Sequence, residues 1–291
     1  MLTIYNIMSK HFTLLVLLAF FSLLSSSGQV SPEGTLNDLE KYRLKGKVKS
    51  VMETKYALAG SSANKKDQEV IYQRLIRFDI NGYEQESILY KNEQEFLIKK
   101  FNSGSDGIPF EMNEFLPDGS LNLNVKFITD DKGNQTEACY SWSENRLIGE
   151  ICEQSDYYFE IIQNDIFTRV TYNYEYRGYC TEQNFYTPDS ALSFRLTAKY
   201  DFRGNRLESA YFKGNELLSW ITKYKYDRYD NLIESSVFKS NRIAVYSKYK
   251  HQFDMMGNWI SREEKREVTV NIFTAGINQS DMLTERTIEY Y

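Results

Sequence analysis

Apolar and polar residues alternate with a period of two along most of the chain. In LSFRLTAKY, Leu196, Ala198 and Tyr200 share one face, whereas Thr197 and Lys199 share the other. This alternation is typical of a half-buried β-strand. Turn residues interrupt it about every 13 residues, as expected for β-hairpins joined in series. The pattern predicts an all-β protein, a repetitive antiparallel β-meander of about 16 to 18 strands.

One turn motif recurs at a spacing of 26 or 27 residues. The copies KYDFRGNRL, KYDRYDNLI and HQFDMMGNWI each contain an aspartate that is followed three residues later by glycine or by a second aspartate. The first carboxylate can accept hydrogen bonds from N–H groups of the turn, and the later residue must tolerate a positive φ. The predicted structural turn residues are Asp201, Gly204, Asp227, Asp230, Asp254 and Gly257.

The segments YDFRGNRL, YDRYDNLI and FDMMGNWI resemble the YD repeat of the RHS family, most clearly over residues 172–262. The earlier segment LKGKVKSVMETKY is similar to secreted repeat proteins of Bacteroidetes. The resemblance implies a β-sheet shell or surface scaffold, for which carbohydrate binding is often suggested. Because long sheets twist, we expect an open curved sheet, a spiral or a partial barrel, whose edge strands are covered by residues 35–46 and by the C-terminal ERTIEYY.

The first 28 residues have the order of a secretory signal peptide. Lys10 and His11 precede an apolar run, residues 12–24, that is short for a bilayer span, and the small residues SSSGQ follow. A retained membrane anchor is the alternative. We expect residues 1–28 to be a signal peptide, 29–46 an N-terminal cap or linker and 47–291 a single repeat domain. The processed protein would have no stable transmembrane span and would be secreted, periplasmic or on the cell surface of a Gram-negative bacterium.

Charge and residue usage argue against several functions. Loss of residues 1–28 removes Lys10 and no acid, so the net charge changes from −5 to about −6, without a basic face for nucleic acid. The processed chain keeps one histidine, His251, and lacks a glycine-rich phosphate loop, a Cys-x-x-Cys pair and a zinc motif. We therefore predict no enzyme, no cofactor and no metal. The carboxylates available for glycoside hydrolysis recur in equivalent repeat positions, which favours a scaffold role: Glu208, Glu234 and Asp254.

Three cysteines are too few for a complete set of disulfides in a secreted protein. Cys139 and Cys152 flank the turn SENR at similar distances. They either form a bridge across a hairpin or, with Cys180, serve as small buried apolar residues. The sequence leaves both alternatives open.

Aromatic residues, 15% of the chain, provide the main functional hypothesis. Tyrosine and tryptophan offer a flat apolar face with a polar edge, which suits a sugar ring or a protein partner. The predicted binding residues are Trp220, Tyr224, Tyr226 and Trp259, and Trp142 is a further candidate. We expect a binding module for a glycan or peptide. The alternative is a structural or protein-interaction scaffold for an extracellular or envelope protein, in which these rings only pack across strands.

Overall fold

The computed structural model describes residues 37–58, 69–105, 107–130, 135–142, 168–214, 216–239, 242–269 and 281–291. Within these ranges, one short helix precedes sixteen strands. In chain order they are α1 (Asp38–Lys41), β1 (Val48–Leu58), β2 (Glu69–Phe78), β3 (Glu84–Lys91), β4 (Gln94–Ser103), β5 (Pro109–Phe115), β6 (Leu121–Thr129), β7 (Gln135–Trp142), β8 (Arg169–Tyr174), β9 (Cys180–Tyr186), β10 (Leu192–Tyr200), β11 (Arg206–Lys213), β12 (Glu216–Tyr226), β13 (Leu232–Lys239), β14 (Arg242–Phe253), β15 (Trp259–Val268) and β16 (Asp281–Tyr290).

Every strand pairs antiparallel with its neighbours in the chain, and β16 also pairs with β1, from Val48 opposite Tyr290 to Leu58 opposite Asp281. The all-β antiparallel meander of 16 strands is therefore confirmed, and the expected open curved sheet, spiral or partial barrel is corrected to a closed barrel. The C-terminal ERTIEYY does not cover an edge, since most of it lies in β16. Closure gives a hydrogen-bonding partner to the backbone of both terminal strands, so no edge remains to be covered.

The recurrent aspartate turns all lie at one end of the barrel, which we call the turn end. It carries the connections after β2, β4, β8, β10, β12 and β14, because every second connection of an antiparallel meander returns to the same end. In the turn after β10, Asp201 accepts hydrogen bonds from the N–H groups of Arg203 at 2.8 Å and Asn205 at 2.9 Å. Gly204 has φ +81°, and Asp230 takes φ +66° at the equivalent position after β12.

Residues 37–46, the N-terminal segment, cross the turn end of the barrel. The N–H of Leu39 donates to the carbonyl of Gly82 at 3.0 Å, and the N–H of Lys45 donates to Asn258 Oδ1 at 2.7 Å. Between them, Arg43 donates to the carbonyl of Asp230 and to Asn205 Oδ1, each at 2.6 Å. The segment therefore ties turns on different sides of the barrel together and covers its end instead of an edge strand.

The two faces of the sheet differ sharply in exposure. Charged side chains on the inner face are nearly buried, with Glu84 3% and Lys99 7% exposed. Lysines on the outer face are open to solvent, with Lys199 74% and Lys225 73% exposed. A large apolar cluster fills part of the interior along β5 to β11, formed by Met112, Leu123, Val125, Ala138, Tyr140, Val170, Tyr172, Cys180, Phe185, Phe194, Leu196 and Tyr211. Among the described residues, no helix is long and apolar enough to cross a membrane.

Candidate functional site in the barrel interior

A group of charged and aromatic side chains lines the interior across five adjacent strands, β14, β15, β16, β1 and β2. Strand register brings the group together, because Glu53 lies opposite Arg286 of β16 and His251 lies opposite Arg262 of β15. Inward positions then recur at every second residue of each strand. We call this group the polar inner wall, and it consists of Glu53, Lys55, Tyr72, Tyr249, His251, Trp259, Arg262, Glu264, Arg266 and Arg286.

A β-bulge beside each aspartate turn directs the residue after the turn inward. In the hairpin of β14 and β15 the register shifts between Gln252 and Phe253, so that Phe253 faces Trp259. The same shift places Arg206 opposite Tyr200 in the hairpin of β10 and β11. The extra residue lets both flanking side chains stay on the interior face, so the repeated turn also sets the position of the polar inner wall.

Two carboxylates of the wall are fully engaged. Glu53 accepts hydrogen bonds from Arg286 Nε at 2.7 Å and from the Tyr72 hydroxyl at 2.6 Å. Burial by itself raises the pKa of Glu53, but the charge of Arg286 and these hydrogen bonds lower it to about 2. Glu264 accepts from Arg266 Nε at 2.6 Å, and its pKa is also about 2 because that charge outweighs the effect of burial. Both carboxylates are therefore ionised at neutral pH.

Arg262 is held differently from the other two arginines of the wall. Its guanidinium lies 5.7 Å from the ring centre of Tyr249 and 4.8 Å from that of Trp259. Its Nε is buried and has no hydrogen-bond partner among the described residues. Trp259 also carries the guanidinium of Arg286 at 3.4 Å from its ring centre. Trp259 is thus the aromatic centre of the wall.

His251 completes this part of the interior. Its ring centre lies 6.2 Å from that of Trp259 in an edge-on arrangement and 5.9 Å from that of Phe253. Burial, followed by the positive charge of Arg262, lowers the pKa of His251 to about 4. The imidazole is therefore neutral at pH 7 and can both donate and accept a hydrogen bond.

The four aromatic residues that the sequence predicted to bind a ligand do not form one site in the structure. Trp259 belongs to the polar inner wall. Tyr224 shares a hydrogen bond of 3.0 Å with Ser209, and Tyr226 lies under Arg43 at 5.6 Å, where burial raises the pKa of Tyr226 to about 12. Trp220 is partly buried against an apolar cluster at the opposite end, formed by Val237, Ala244 and Val245. Tyr224 and Tyr226 lie close together, whereas Trp220 and Trp259 are separate from them.

The other residues considered from the sequence lie apart from the wall. Glu208 and Glu234 are on the outer face, paired at 2.7 Å with Lys199 and Lys225 respectively. Asp254 accepts a turn hydrogen bond from the N–H of Asn258 at 2.8 Å. In the described part of the chain, no group of three or more histidine, cysteine, aspartate or glutamate side chains could hold a metal ion. Cys139 and Cys180 are free thiols, and Cys152 and the side chain of Trp142 lie outside the described residues.

The sequence interpretation missed Glu53, Arg262 and Arg286. Each occupies an alternate strand position, which would have indicated the same face as neighbouring apolar residues such as Val51 and Ile288. A charged residue in an alternating strand is normally assigned to the solvent face. The signal in the sequence was therefore that these residues alternate in step with buried apolar residues. Their charge indicated the opposite, solvent-facing placement.

No protein-family model matches the chain, and no curated protein matches it either. Among solved structures, a porin-like protein from Bacteroides uniformis is 9% identical, with a TM-score of 0.54, over 83% of this chain and 98% of that one. The barrel of this chain is similar in fold to that protein. A β-barrel-like protein of unknown function from Brucella abortus is 11% identical over 85% of this chain and 99% of that one, with a TM-score of 0.24. The Tc holotoxin pore of Photorhabdus luminescens is 12% identical over 75% of this chain and 15% of that one, with a TM-score of 0.21.

The last two scores are too low to support any conclusion about fold. The resemblance to YD repeats is wrong as an assignment for this chain, because the sheet closes into a barrel that resembles a porin-like protein and differs from a YD-repeat shell. The recurrent turn reflects the common chemistry of aspartate and glycine in hairpins.

Proposed function

We propose that the protein is a non-enzymatic binding barrel of the Gram-negative cell envelope, which holds a carbohydrate against its polar inner wall. The observation that carries this proposal is the position of Trp259, whose ring lies in the interior among Arg262, Arg286 and His251. An aromatic face stacks on the apolar face of a sugar ring, while guanidinium and imidazole groups hydrogen-bond to its hydroxyl groups. Small-molecule sites are typically lined by aromatic side chains together with a few polar groups that fix the orientation of the ligand.

The outer face offers less for a ligand of this kind. Its charged residues form cross-strand pairs, such as Lys199 with Glu208 and Lys225 with Glu234, each at 2.7 Å. The N-terminal segment covers the turn end through its hydrogen bonds to the turns. We therefore propose that the ligand reaches the polar inner wall from the opposite end of the barrel.

We further propose that the barrel is surrounded by water in the periplasm or at the cell surface. A membrane-spanning barrel needs an outward apolar band about 25 Å tall, and each lysine at the bilayer midplane costs about 2–4 kcal/mol. On this barrel, Lys248 and Lys265 lie opposite each other midway along β14 and β15 and are both exposed. Lys223 and Arg195 occupy outer positions on β12 and β10, so charged side chains extend over the outer face from β10 to β15. Solubility of residues 29–291 without detergent tests this placement, and partition into detergent micelles would contradict it.

A glycan-array screen of residues 29–291, followed by calorimetric titration of any hit, tests the binding function. We expect a saturable hit whose affinity falls at least tenfold in Trp259→Ala and several-fold in Trp259→Phe, which keeps a ring but loses stacking area. Tyr246→Ala is the matched control, because Tyr246 lies on the outer face and is partly exposed. Absence of any hit with folded protein, or equal losses in the Trp259 and Tyr246 variants, would refute the proposal.

A protein-interaction scaffold is the second candidate, and the turn end favours it. Tyr176, Phe202, Tyr229 and Met255 project from four aspartate-type turns with exposures of 94%, 81%, 67% and 105%. Monomeric proteins rarely group large exposed apolar side chains, and such groups often mark interaction sites. Replacing all four by serine should abolish co-purification of a stoichiometric envelope protein with the wild-type barrel. A wild-type barrel that purifies alone from envelope fractions would exclude this candidate.

A further inference from the structure

Positive charge exceeds negative charge on the polar inner wall. The wall contains four basic side chains, Lys55, Arg262, Arg266 and Arg286, and two glutamates, Glu53 and Glu264. Arg74, which also faces inward on β2, forms an ion pair with Glu84 of β3 at 3.4 Å. Two further carboxylates lie near the wall. Asp281 accepts a hydrogen bond from the backbone N–H of Arg266 at 2.9 Å, and Asp227 accepts hydrogen bonds from the turn N–H groups of Tyr229 and Asn231. The neutral imidazole of His251 adds no charge. The interior therefore has a surplus of positive charge beside an aromatic centre.

Arg262 is the cation that the wall leaves without a carboxylate. Glu53 is bonded to Arg286 at 2.7 Å and Glu264 to Arg266 at 2.6 Å. No side-chain hydrogen bond or ion pair joins the Arg262 guanidinium to any residue in the described ranges, and its buried Nε has no partner there. The rings of Tyr249 and Trp259 hold the guanidinium in place and leave its N–H groups for another acceptor.

We infer that Arg262 binds an anionic group of the ligand, so that the barrel recognises an acidic glycan carrying a carboxylate or sulfate. The inference rests on the proposed carbohydrate-binding function and specifies the class of sugar. A planar guanidinium offers paired donors that match the two oxygens of a carboxylate or sulfate. Trp259 lies 4.8 Å from this guanidinium and would stack on the same sugar ring, while His251 could bond to a neighbouring hydroxyl.

A matched pair of probes separates charge from sugar recognition. One is an oligogalacturonate, and the other is the same oligosaccharide with its carboxylates converted to methyl esters, which removes the charge and keeps the sugar rings. We expect residues 29–291 to bind the acidic form at least tenfold more tightly in calorimetric titrations. Array spots of sulfated and neutral glycans extend the comparison to the second kind of anionic group.

Variants of Arg262 then test the assigned group. Arg262→Gln should remove the preference for the acidic probe, because it should weaken binding of that probe at least tenfold more than binding of the methyl ester. Arg262→Lys should keep part of the preference, because it retains the charge without the paired donors. Arg77→Gln, on the outer face, is the matched control and should behave as wild type. Unchanged thermal unfolding of each variant shows that the fold persists.

Nuclear magnetic resonance of His251 provides a local readout. The acidic probe should raise the pKa of His251 from about 4, because a bound anion would partly neutralise the positive charge of Arg262. Equal affinity for the two probes, or equal losses of both in Arg262→Gln, would overturn this inference and leave the carbohydrate-binding proposal standing. Failure of every glycan, acidic or neutral, to bind folded protein would overturn both.

Discussion

Replacing Glu53 by glutamine removes the charge that neutralises Arg286 inside the barrel. The two side chains are 14% exposed each and joined at 2.7 Å, and Glu53 also accepts a hydrogen bond from Tyr72 at 2.6 Å. The pKa of Glu53 falls from 4.5 to about 2, since the charge of Arg286 and the hydrogen bonds outweigh the opposing effect of burial. At 1.36 kcal/mol per tenfold change, this difference corresponds to about 3 kcal/mol of folding free energy.

The same magnitude follows from the pair itself, because removal of one partner from a buried ion pair costs about 3–5 kcal/mol. We therefore expect Glu53→Gln to lower the free energy of unfolding at pH 7 by about 3 kcal/mol in guanidinium titrations. The lowered pKa of Glu53 stabilises the fold above pH 4.5, and the stabilisation disappears as the pH falls to about 2. The difference between variant and wild type should shrink over that window.

Two further variants serve as controls for the measured loss of unfolding free energy in Glu53→Gln. Glu234→Gln breaks the pair of Glu234 with Lys225, which has the same separation of 2.7 Å but lies on the outer face, so we expect a much smaller loss because solvent screens this pair. The double variant Glu53→Gln, Arg286→Gln should be more stable than Glu53→Gln alone, because it no longer buries an unpaired charge. Equal losses in the inner-face and outer-face variants, or a double variant no better than the single, would refute the reasoning.

Three shorter predictions concern the turn end and the interior. Gly204→Ala should destabilise the barrel by at least about 1 kcal/mol more than Gly119→Ala in thermal unfolding. Both glycines have φ above +80°, but only the Cβ added at Gly204 would clash with Tyr179. Equal losses of stability in the two variants would contradict the clash. Arg43→Met should cost about 2–3 kcal/mol in urea unfolding, since it leaves the acceptors at Asp230 and Asn205 unbonded. Replacement of the exposed Lys49 by methionine should cost much less, because solvent screens its ion pair with Glu289. Similar costs would argue against a sealing role for the N-terminal segment. The pKa of His251 is lowered from 6.5 to about 4, so between these pH values the unfolded chain binds more protons than the folded one. The free energy of unfolding of the wild type should therefore fall by about 1–2 kcal/mol, after allowance for solvent screening, as the pH falls from 6.5 to about 4. His251→Gln should lack this fall, and a variant with the same pH profile as the wild type would disprove the prediction.

Much of the local structure could be predicted from the sequence, because strands and hairpins depend on neighbouring residues. Alternation in LSFRLTAKY predicts β10, and the order of aspartate and glycine predicts the turn at Asp201 and Gly204 with its positive φ. These signals act within a few residues, where side-chain periodicity and backbone sterics decide the conformation. They were sufficient for the class of fold and for the expected range of strand number.

The candidate site could be predicted only in part. The sequence indicated Trp259 as a binding aromatic, but it grouped Trp259 with Trp220, which lies in an apolar cluster near the other end of the barrel. It gave no indication of Arg262, because a charged residue in an alternating strand is normally placed in solvent. A barrel of sixteen strands encloses more space than apolar side chains alone would fill, so polar residues are accommodated inside.

The sequence by itself determined the meander, since each hairpin is fixed by its own turn and its own two strands. Only the tertiary structure decided that the sheet closes and which face lies inside. Closure pairs β1 with β16 and brings Glu53 to Arg286 across 233 residues of chain. No local period encodes such a contact, because it depends on the twist accumulated over all sixteen strands and on the backbone hydrogen bonds gained when the last strand meets the first.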